Sequence, residues 1–213
     1  MITVKTFVFN IISVNTYLLF DETKEAIIID CGCMFTSEEK KLSDFVAQND
    51  LKIKRLLCTH LHFDHIAGNS FIYQTYGIKP EAHRLDVELL PSISQQLLSM
   101  GVRLPVNVID VQDYLVENDT IRFGDSELST MLVPGHSPGS LAFYSQKDGF
   151  IVVGDVLFKG SIGRSDLWEG NHEMLIAAIK EKILSLPDKT IVYPGHGPAT
   201  TVKQEKINNP FIH

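Results

Sequence analysis

The stretch CTHLHFDHIAGN, residues 58–69, places His60, His62, Asp64 and His65 within six consecutive positions. Imidazole nitrogens and carboxylate oxygens are donors that zinc, iron and manganese all accept, so the first chemistry these residues suggest is metal binding. The setting recurs later. His136 lies in VPGHSPGS, Asp155 in IVVGDVLF and His196 in YPGHGPAT, each after an apolar run and beside glycine. A strand closed by glycine lets the backbone turn sharply and delivers the next side chain at the strand end.

Five histidines and two aspartates suffice for two ions with three private ligands each and one shared carboxylate. His60, His62 and His136 would surround the first ion, and Asp64, His65 and His196 the second. Asp155 would stand between them at a separation of about 3.5 to 4 Å. Taken singly, His136 or His196 is as readily an ordinary loop histidine. A lone structural zinc would need only four ligands, usually with cysteine among them. Of eight histidines, His83, His172 and His213 fall outside these settings and read as a surface residue, a helix N-terminus and the tail. Cys58 adjoins the cluster but closes IKRLLC, which reads as a buried strand, and Cys31 and Cys33 read as buried residues too.

Such ligands need strands that carry them to a common edge. β-Branched and aromatic runs near residues 3–9, 16–20 and 26–29 predict an opening strand meander. Thr36 with Glu39 predicts a capping box ahead of a helix through SEEKKLSDFVAQN. IKRLLC predicts a strand, the ligand stretch a loop, and IAGNSFIYQTYG a helix closed by Gly77. Residues 85–99 read as helical despite Pro91. Residues 101–118 read as a less regular connection with Met100, Leu104, Pro105 and Val106, and the span 97–118 is a candidate lid or pocket wall. From residue 120 the order starts again, with strands near 120–123, 126–133, 140–145 and 150–153, a helix from about 172 to 186, and a final strand in TIVYPGHG.

A chain of 213 residues with 44% hydrophobic content is long enough for one sizeable core, and one compact domain over 1–213 is expected. The formal charge of -7 disfavours nucleic acid, whose affinity comes from accumulated Lys and Arg. No uninterrupted apolar stretch of about 20 residues exists to span a membrane. The N-terminal MITVKTFVFNIISVNTYLLFD is broken by Asn10, Ser13, Asn15 and Thr16, and reads as two strands rather than a leader. Three cysteines without a spaced framework fit a reducing compartment, so a soluble cytoplasmic protein is expected.

Thr59-His60-x-His62-x-Asp64-His65, together with His136, the Gly-Asp pair ending at Asp155, and His196, resembles the metallo-β-lactamase fold superfamily over essentially the whole chain. Within it, GDVLFKGSIGRSDL and PGHGPATTVKQEKINNPF are similar to the glyoxalase II-like (hydroxyacylglutathione hydrolase-like) branch, in a short form without that branch's C-terminal helical domain. The resemblance implies an α/β fold, a four-layer αββα sandwich with the metals at one edge. It implies that Asp30, in IIIDCG, orders the ligand loop from behind. A strand-end turn aspartate is the alternative. It also implies that Arg164 holds a substrate carboxylate, for which a fixed guanidinium is suited. A local ion pair with Asp166 is the alternative there.

Two divalent ions, zinc first with iron or manganese as alternatives, lower the pKa of a bridging water and polarise a carbonyl. The expected reaction is hydrolysis by the bridging hydroxide, with Asp64 and Asp155 as the catalytic carboxylates that orient it. No G-x-S-x-G elbow is present to support a covalent route. A thioester suits such a site because its thiolate, with a conjugate-acid pKa of about 8.5, departs without a general acid, whereas an amide nitrogen needs a proton. The expected substrate is a small-molecule thioester of glutathione or a related acyl thioester. The missing helical domain leaves glutathione itself open. β-Lactams are not expected, because true lactamases of the superfamily generally lack the shared carboxylate. A persulfide dioxygenase-like enzyme with one iron is the alternative.

Overall fold

The computed structural model describes residues 1–99, 101, 109–111 and 113–212. Met100, Leu104, Pro105 and Val106 of the candidate lid, and His213 of the tail, lie outside the described residues. The chain divides into two compact units: Met1–Ala82 with Pro91–Tyr114 and Arg122–Ser126, and His83–Leu90 with Leu115–Ile121 and Glu127–His213.

In the first unit, β1 (Thr3–Phe9), β2 (Val14–Phe20), β3 (Glu25–Ile29), β4 (Lys52–Leu57), β5 (Pro80–Ala82) and β6 (Asp113–Tyr114) lie side by side in chain order. The first three form the expected antiparallel meander, with Phe9 opposite Val14 at the hairpin end. From β3 onward the strands run parallel. Parallel strands need crossovers, and α1 (Thr36–Gln48) and α3 (Asn69–Tyr76) supply them. Leu42 and Val46 of α1 and Ile72 of α3 pack with Phe7, Phe9, Leu18, Ile28 and Leu56 in one cluster. The alternate residues Tyr17, Leu19, Ile27 and Ile29 are buried as well, so AIII is apolar on both faces, as a strand in a doubly covered sheet must be.

The helix α1 begins one residue earlier than its sequence signal. Phe35 is the N-cap, and Glu38 rather than Glu39 occupies the third helical position. Glu38 accepts from Met34 N at 2.8 Å, Phe35 N at 3.2 Å and Asn10 N at 2.7 Å, satisfying donors that the start of a helix leaves open. The helix read from residue 66 onward is split: α2 (Phe63–Ile66) ends at Ala67, and α3 closes at Gly77 with φ 72°, the left-handed stop that glycine permits. Pro91 likewise divides the span 85–99 into α4 (Arg84–Leu89) and α5 (Ile93–Ser99), because its ring cannot continue a helix.

The second sheet has the order β14-β13-β10-β9-β8-β7, from β7 (Thr120–Phe123), β8 (Ser126–Leu132), β9 (Leu141–Ser145), β10 (Phe150–Gly154), β13 (Ile191–Pro194) and β14 (Thr200–Thr201). A small hairpin, β11 (Leu157–Phe158) with β12 (Ser161–Ile162), follows β10. The predicted helix 172–186 is α6 (His172–Ala178) continued by a π-helical turn, Ile179–Ile183. The wider turn keeps Ile179 and Ile183 in the same cluster as Leu175, Ala178, Ile151 and Val192. A last helix, α7 (Val202–Asn208), is capped by Thr201, whose side chain accepts from Gln204 N at 3.2 Å.

The three cysteines are buried free thiols. A hydrogen bond with Cys31, then burial, raises Cys33, and burial raises Cys58, so neither is poised as a nucleophile. Among the described residues no helix is long and apolar enough to cross a membrane.

Candidate metal centre

In the first unit, β3 and β4 are neighbouring parallel strands, so the residues just past their ends emerge together. Asp30 N donates to Leu57 O at 3.0 Å, which places the Asp30 carboxylate beside Thr59 and the ligand stretch. Asp30 adopts φ 56°, a left-handed conformation that aspartate visits more readily than most residues. Its carboxylate accepts from Thr59 N at 2.7 Å, Thr59 Oγ1 at 2.6 Å and His65 Nδ1 at 3.0 Å. Thr59 gives its single proton to Asp30, so its oxygen accepts from His60 Nδ1 at 3.0 Å. One buried carboxylate thereby fixes the orientation of two rings and a proton on each Nδ1. That is how a histidine is prepared for a metal.

The ligand stretch is a loop only as far as His62. Asp64 and His65 sit in the short helix α2, with His62 as its N-cap. The structure brings the expected residues together: the His60 ring lies 4.6 Å from His62 and 4.1 Å from His65, centre to centre. His65 Nε2 and Asp64 Oδ2 are 3.5 Å apart. Two ligands at zinc bond lengths of about 2.0 to 2.2 Å and tetrahedral angles stand roughly 3.4 Å from each other, so this spacing fits one ion between them. Asp30 also lies within ligand distance of His60 and His65, but its oxygens are committed to the hydrogen bonds above.

In the second unit, β8 and β10 are both antiparallel to β9, and β10 is parallel to β13. These three strands therefore point the same way, and His136, Asp155 and His196 leave at one edge. Gly195 N donates to Gly154 O at 2.7 Å, and Gly154 takes φ 55° to turn the chain at Asp155. Asp155 Oδ2 stands 3.8 Å from His136 Nε2 and 3.6 Å from His196 Nε2. His136 Nδ1 donates to Arg164 O at 2.7 Å, so its proton on that side is fixed and Nε2 is the nitrogen turned toward Asp155.

Arg164 thus contributes to the site through its carbonyl, which its residue type did not foretell. Its side chain forms a two-pronged ion pair with Asp166, at 2.8 Å for each contact, and is 57% exposed. The guanidinium holds the Asp166 carboxyl down to about 2. Of the histidines read as non-ligands, His83 caps α4 by accepting from Leu85 N at 3.2 Å, and His172 opens α6.

Three residues that sequence reasoning missed brace these loops. Asn10 Nδ2 donates to Asp64 O and Gly32 O, each at 3.0 Å, and ties the β1–β2 turn to the ligand helix. Gln96 of α5 accepts from Phe63 N at 3.0 Å and donates to Leu61 O at 3.0 Å, straddling His62. Asp86 of α4 accepts from Gly139 N at 2.5 Å and Ser137 Oγ at 2.9 Å, holding the turn after His136.

Gly163 is a further restraint, since a Cβ there would lie 1.8 Å from Asp155 O and 3.4 Å from His136 Nδ1. Gly163→Ala must push the β12 exit away from Asp155, and we expect about 1–3 kcal/mol of lost stability from the forced displacement, read as a lowered denaturation midpoint. An unchanged midpoint would show that the segment has slack.

The donor set fits divalent ions: His60, His62, His65 and His136 are buried, and Asp64 and Asp155 stand at ligand spacing from histidine Nε2 atoms. Residues 10–196 match the sequence pattern of the Metallo-beta-lactamase superfamily. The chain belongs to that superfamily. Its fold is accordingly the metallo-β-lactamase fold, of the α/β class that the sequence implied. The hydroxyacylglutathione hydrolase GloC of Haemophilus influenzae is 33% identical over 200 residues, covering 93% of this chain and 92% of its own. The crystal structure of the BLEG-1 B3 metallo-beta-lactamase superposes with a TM-score of 0.87 at 36% identity, covering 100% of this chain and 99% of that one. TTHA1623, solved in a di-iron-bound form, gives 0.85 at 32% identity, covering 97% and 99%. As a superfamily member carrying these donors, the chain is a metal-dependent hydrolase.

Proposed function

We propose that residues 1–213 act as one domain in which His60, His62, Asp64, His65, His136, Asp155 and His196 hold two divalent ions, and that this centre hydrolyses small-molecule thioesters. The observation that carries the reading is Asp155, whose one oxygen faces the Nε2 atoms of both His136 and His196 at 3.8 and 3.6 Å. Both separations exceed hydrogen-bond length and suit a carboxylate shared between neighbouring ions. When bound, such a pair supplies an activated water and polarises the substrate carbonyl.

The chain's own residues do the rest. Asp64 and Asp155 accept hydrogen bonds from the attacking water and fix its direction. Asp30, through Thr59 and directly, and the Arg164 carbonyl keep a proton of His60, His65 and His136 on Nδ1, so that Nε2 is the nitrogen each ring would turn to a metal. A thiolate leaves without being protonated, which matches a site built from ligands rather than from a proton donor. The net charge of -7 fits a small substrate rather than nucleic acid or an anionic membrane surface, and the free cysteines fit a cytoplasmic setting. Zinc is the first assignment for both ions. The di-iron form of TTHA1623 makes iron the competing one.

Arg164 supplies the substrate contact in this reading: an exposed guanidinium exchanges the Asp166 carboxylate for one on the substrate. Arg164→Ala is expected to raise KM about tenfold and leave kcat unchanged, which is the signature of lost uniform binding. A fall in kcat alone would assign Arg164 to the site architecture instead.

A second reading is favoured by one observation, the B3 lactamase named above at 36% identity. Zinc-loaded protein should therefore be offered S-D-lactoylglutathione, an acyl thioester without glutathione, and a chromogenic cephalosporin. The thioesterase reading expects kcat/KM for a thioester to exceed that for the lactam by about a hundredfold or more. A faster lactam would replace it with the lactamase reading.

A further inference from the structure

The terminal stretch TTVKQEKINNPF carries no ligand, yet it contains two of the most deeply buried polar side chains in the second unit, Glu205 at 1% exposure and Asn209 at 0%. Glu205 stands on the inner side of α7. One oxygen accepts from Thr200 Oγ1 at 2.5 Å. The other accepts from Gly160 N at 2.9 Å and Asn209 Nδ2 at 2.8 Å. Asn209 Nδ2 also donates to Ser161 O at 3.0 Å, and Asn209 Oδ1 accepts from Phe211 N at 3.1 Å.

These bonds grip two segments that bear on the candidate ligands. Gly160 lies in the turn of the β11–β12 hairpin and Ser161 opens β12, in a segment that follows Asp155 at one end and reaches Arg164 at the other. Arg164 O holds His136, and Gly163 N donates to Val156 O at 3.1 Å. Phe158 of the hairpin meets the His196 ring edge-on at 6.4 Å. Thr200 follows His196 on the chain and pairs with Val192 of β13. A buried carboxylate satisfied by three donors is rigid, and a donor left behind without it would cost about 1–3 kcal/mol.

We propose that Glu205, seconded by Asn209, is a positioning residue that sets the spacing of His136, Asp155 and His196 by clamping the β11–β12 turn to the segment after His196. The inference rests on the metal centre proposed above, and it goes beyond it by giving the C-terminal helix a part in metal affinity.

The test is cobalt(II) binding followed by visible absorption against a competing chelator, at a temperature where each variant has the wild-type circular dichroism spectrum. Glu205→Ala is expected to bind about 10–100-fold more weakly, the scale seen when a residue supporting a metal ligand is removed. Glu205→Gln is expected to stay within about threefold of wild type. Its carbonyl accepts from Gly160 and Asn209, while its amide donates to a Thr200 hydroxyl turned to accept. Thr200→Val, which cuts only the tie behind His196, is expected to weaken one of the two binding steps about tenfold. It also keeps the proposal exposed if Glu205→Ala does not fold. Folded Glu205→Ala, or Thr200→Val in its place, binding both ions as tightly as wild type overturns the clamp while leaving the centre intact. Wild-type protein that takes up no cobalt overturns the centre and the clamp with it.

Discussion

An Asp155→Ala protein is expected to fold, to hold at most one divalent ion, and to lose about a thousandfold or more in turnover. Folding should survive because the strand that carries Asp155 is anchored elsewhere. Val152 and Val153 are fully buried, and Gly154 O is held by Gly195 N at 2.7 Å. What disappears is an oxygen that faces the Nε2 atoms of both His136 and His196, at 3.8 and 3.6 Å. In the proposed centre the two ions would lose their common anion without it, and the attacking water would lose one of the two carboxylates that orient it. Asp155→Asn should fall between, since it keeps an oxygen but removes the charge. Metal analysis and turnover on the same preparation check this. Two tightly held ions with near wild-type turnover would remove Asp155 from the bridging position.

Substitution of Asp30 separates metal binding from stability. Asp30→Ala takes the acceptors from Thr59 N, Thr59 Oγ1 and His65 Nδ1 and places alanine at φ 56°. Each buried donor left unpaired costs about 1–3 kcal/mol, so this variant is expected to be strongly destabilised. Asp30→Asn is the more informative change. Asparagine tolerates the left-handed backbone, and its carbonyl oxygen still receives Thr59 N–H. Its amide, however, now points donors at His65 and Thr59. The His65 ring must then offer its Nδ1 lone pair and carry its proton on Nε2, the nitrogen a metal needs. We expect Asp30→Asn to remain folded while binding metal about 10–100-fold more weakly, measured by chelator competition beside a denaturation curve. Unchanged affinity in the folded Asn variant would reduce Asp30 to a strand-end residue.

The proposed ligands were legible because their chemistry lies in their type. Histidine and aspartate in a tight run, repeated beside glycine after apolar strands, have few other reasons to occur together. The strands were legible for a related reason: AIII and FIVVG are apolar on both faces and need a doubly covered sheet. The supporting residues were not. Asn10 meets Asp64 across 54 positions, Asp86 meets Gly139 across 53, and Glu205 meets Gly160 across 45. An Asn, Asp or Glu on a surface reads the same in one sequence as one that braces a loop. Arg164 was singled out for its guanidinium, whereas its carbonyl is what holds His136, and any residue type has a carbonyl. The start of α1 shifted by one position because Glu38 found Asn10 N, a partner 28 residues away. The helix α7 carries a local signal, since Thr201 followed by Gln204 three residues on is a capping pattern, and the Thr201 side chain does accept from Gln204 N.

The central claim is a pair of ions working on a thioester, and turnover of S-D-lactoylglutathione as zinc is added to chelator-stripped protein tests it most directly. Negligible hydrolysis is expected without metal, with a rate that rises to a plateau at two equivalents per chain. A plateau at one equivalent, or hydrolysis that persists without metal, would contradict it.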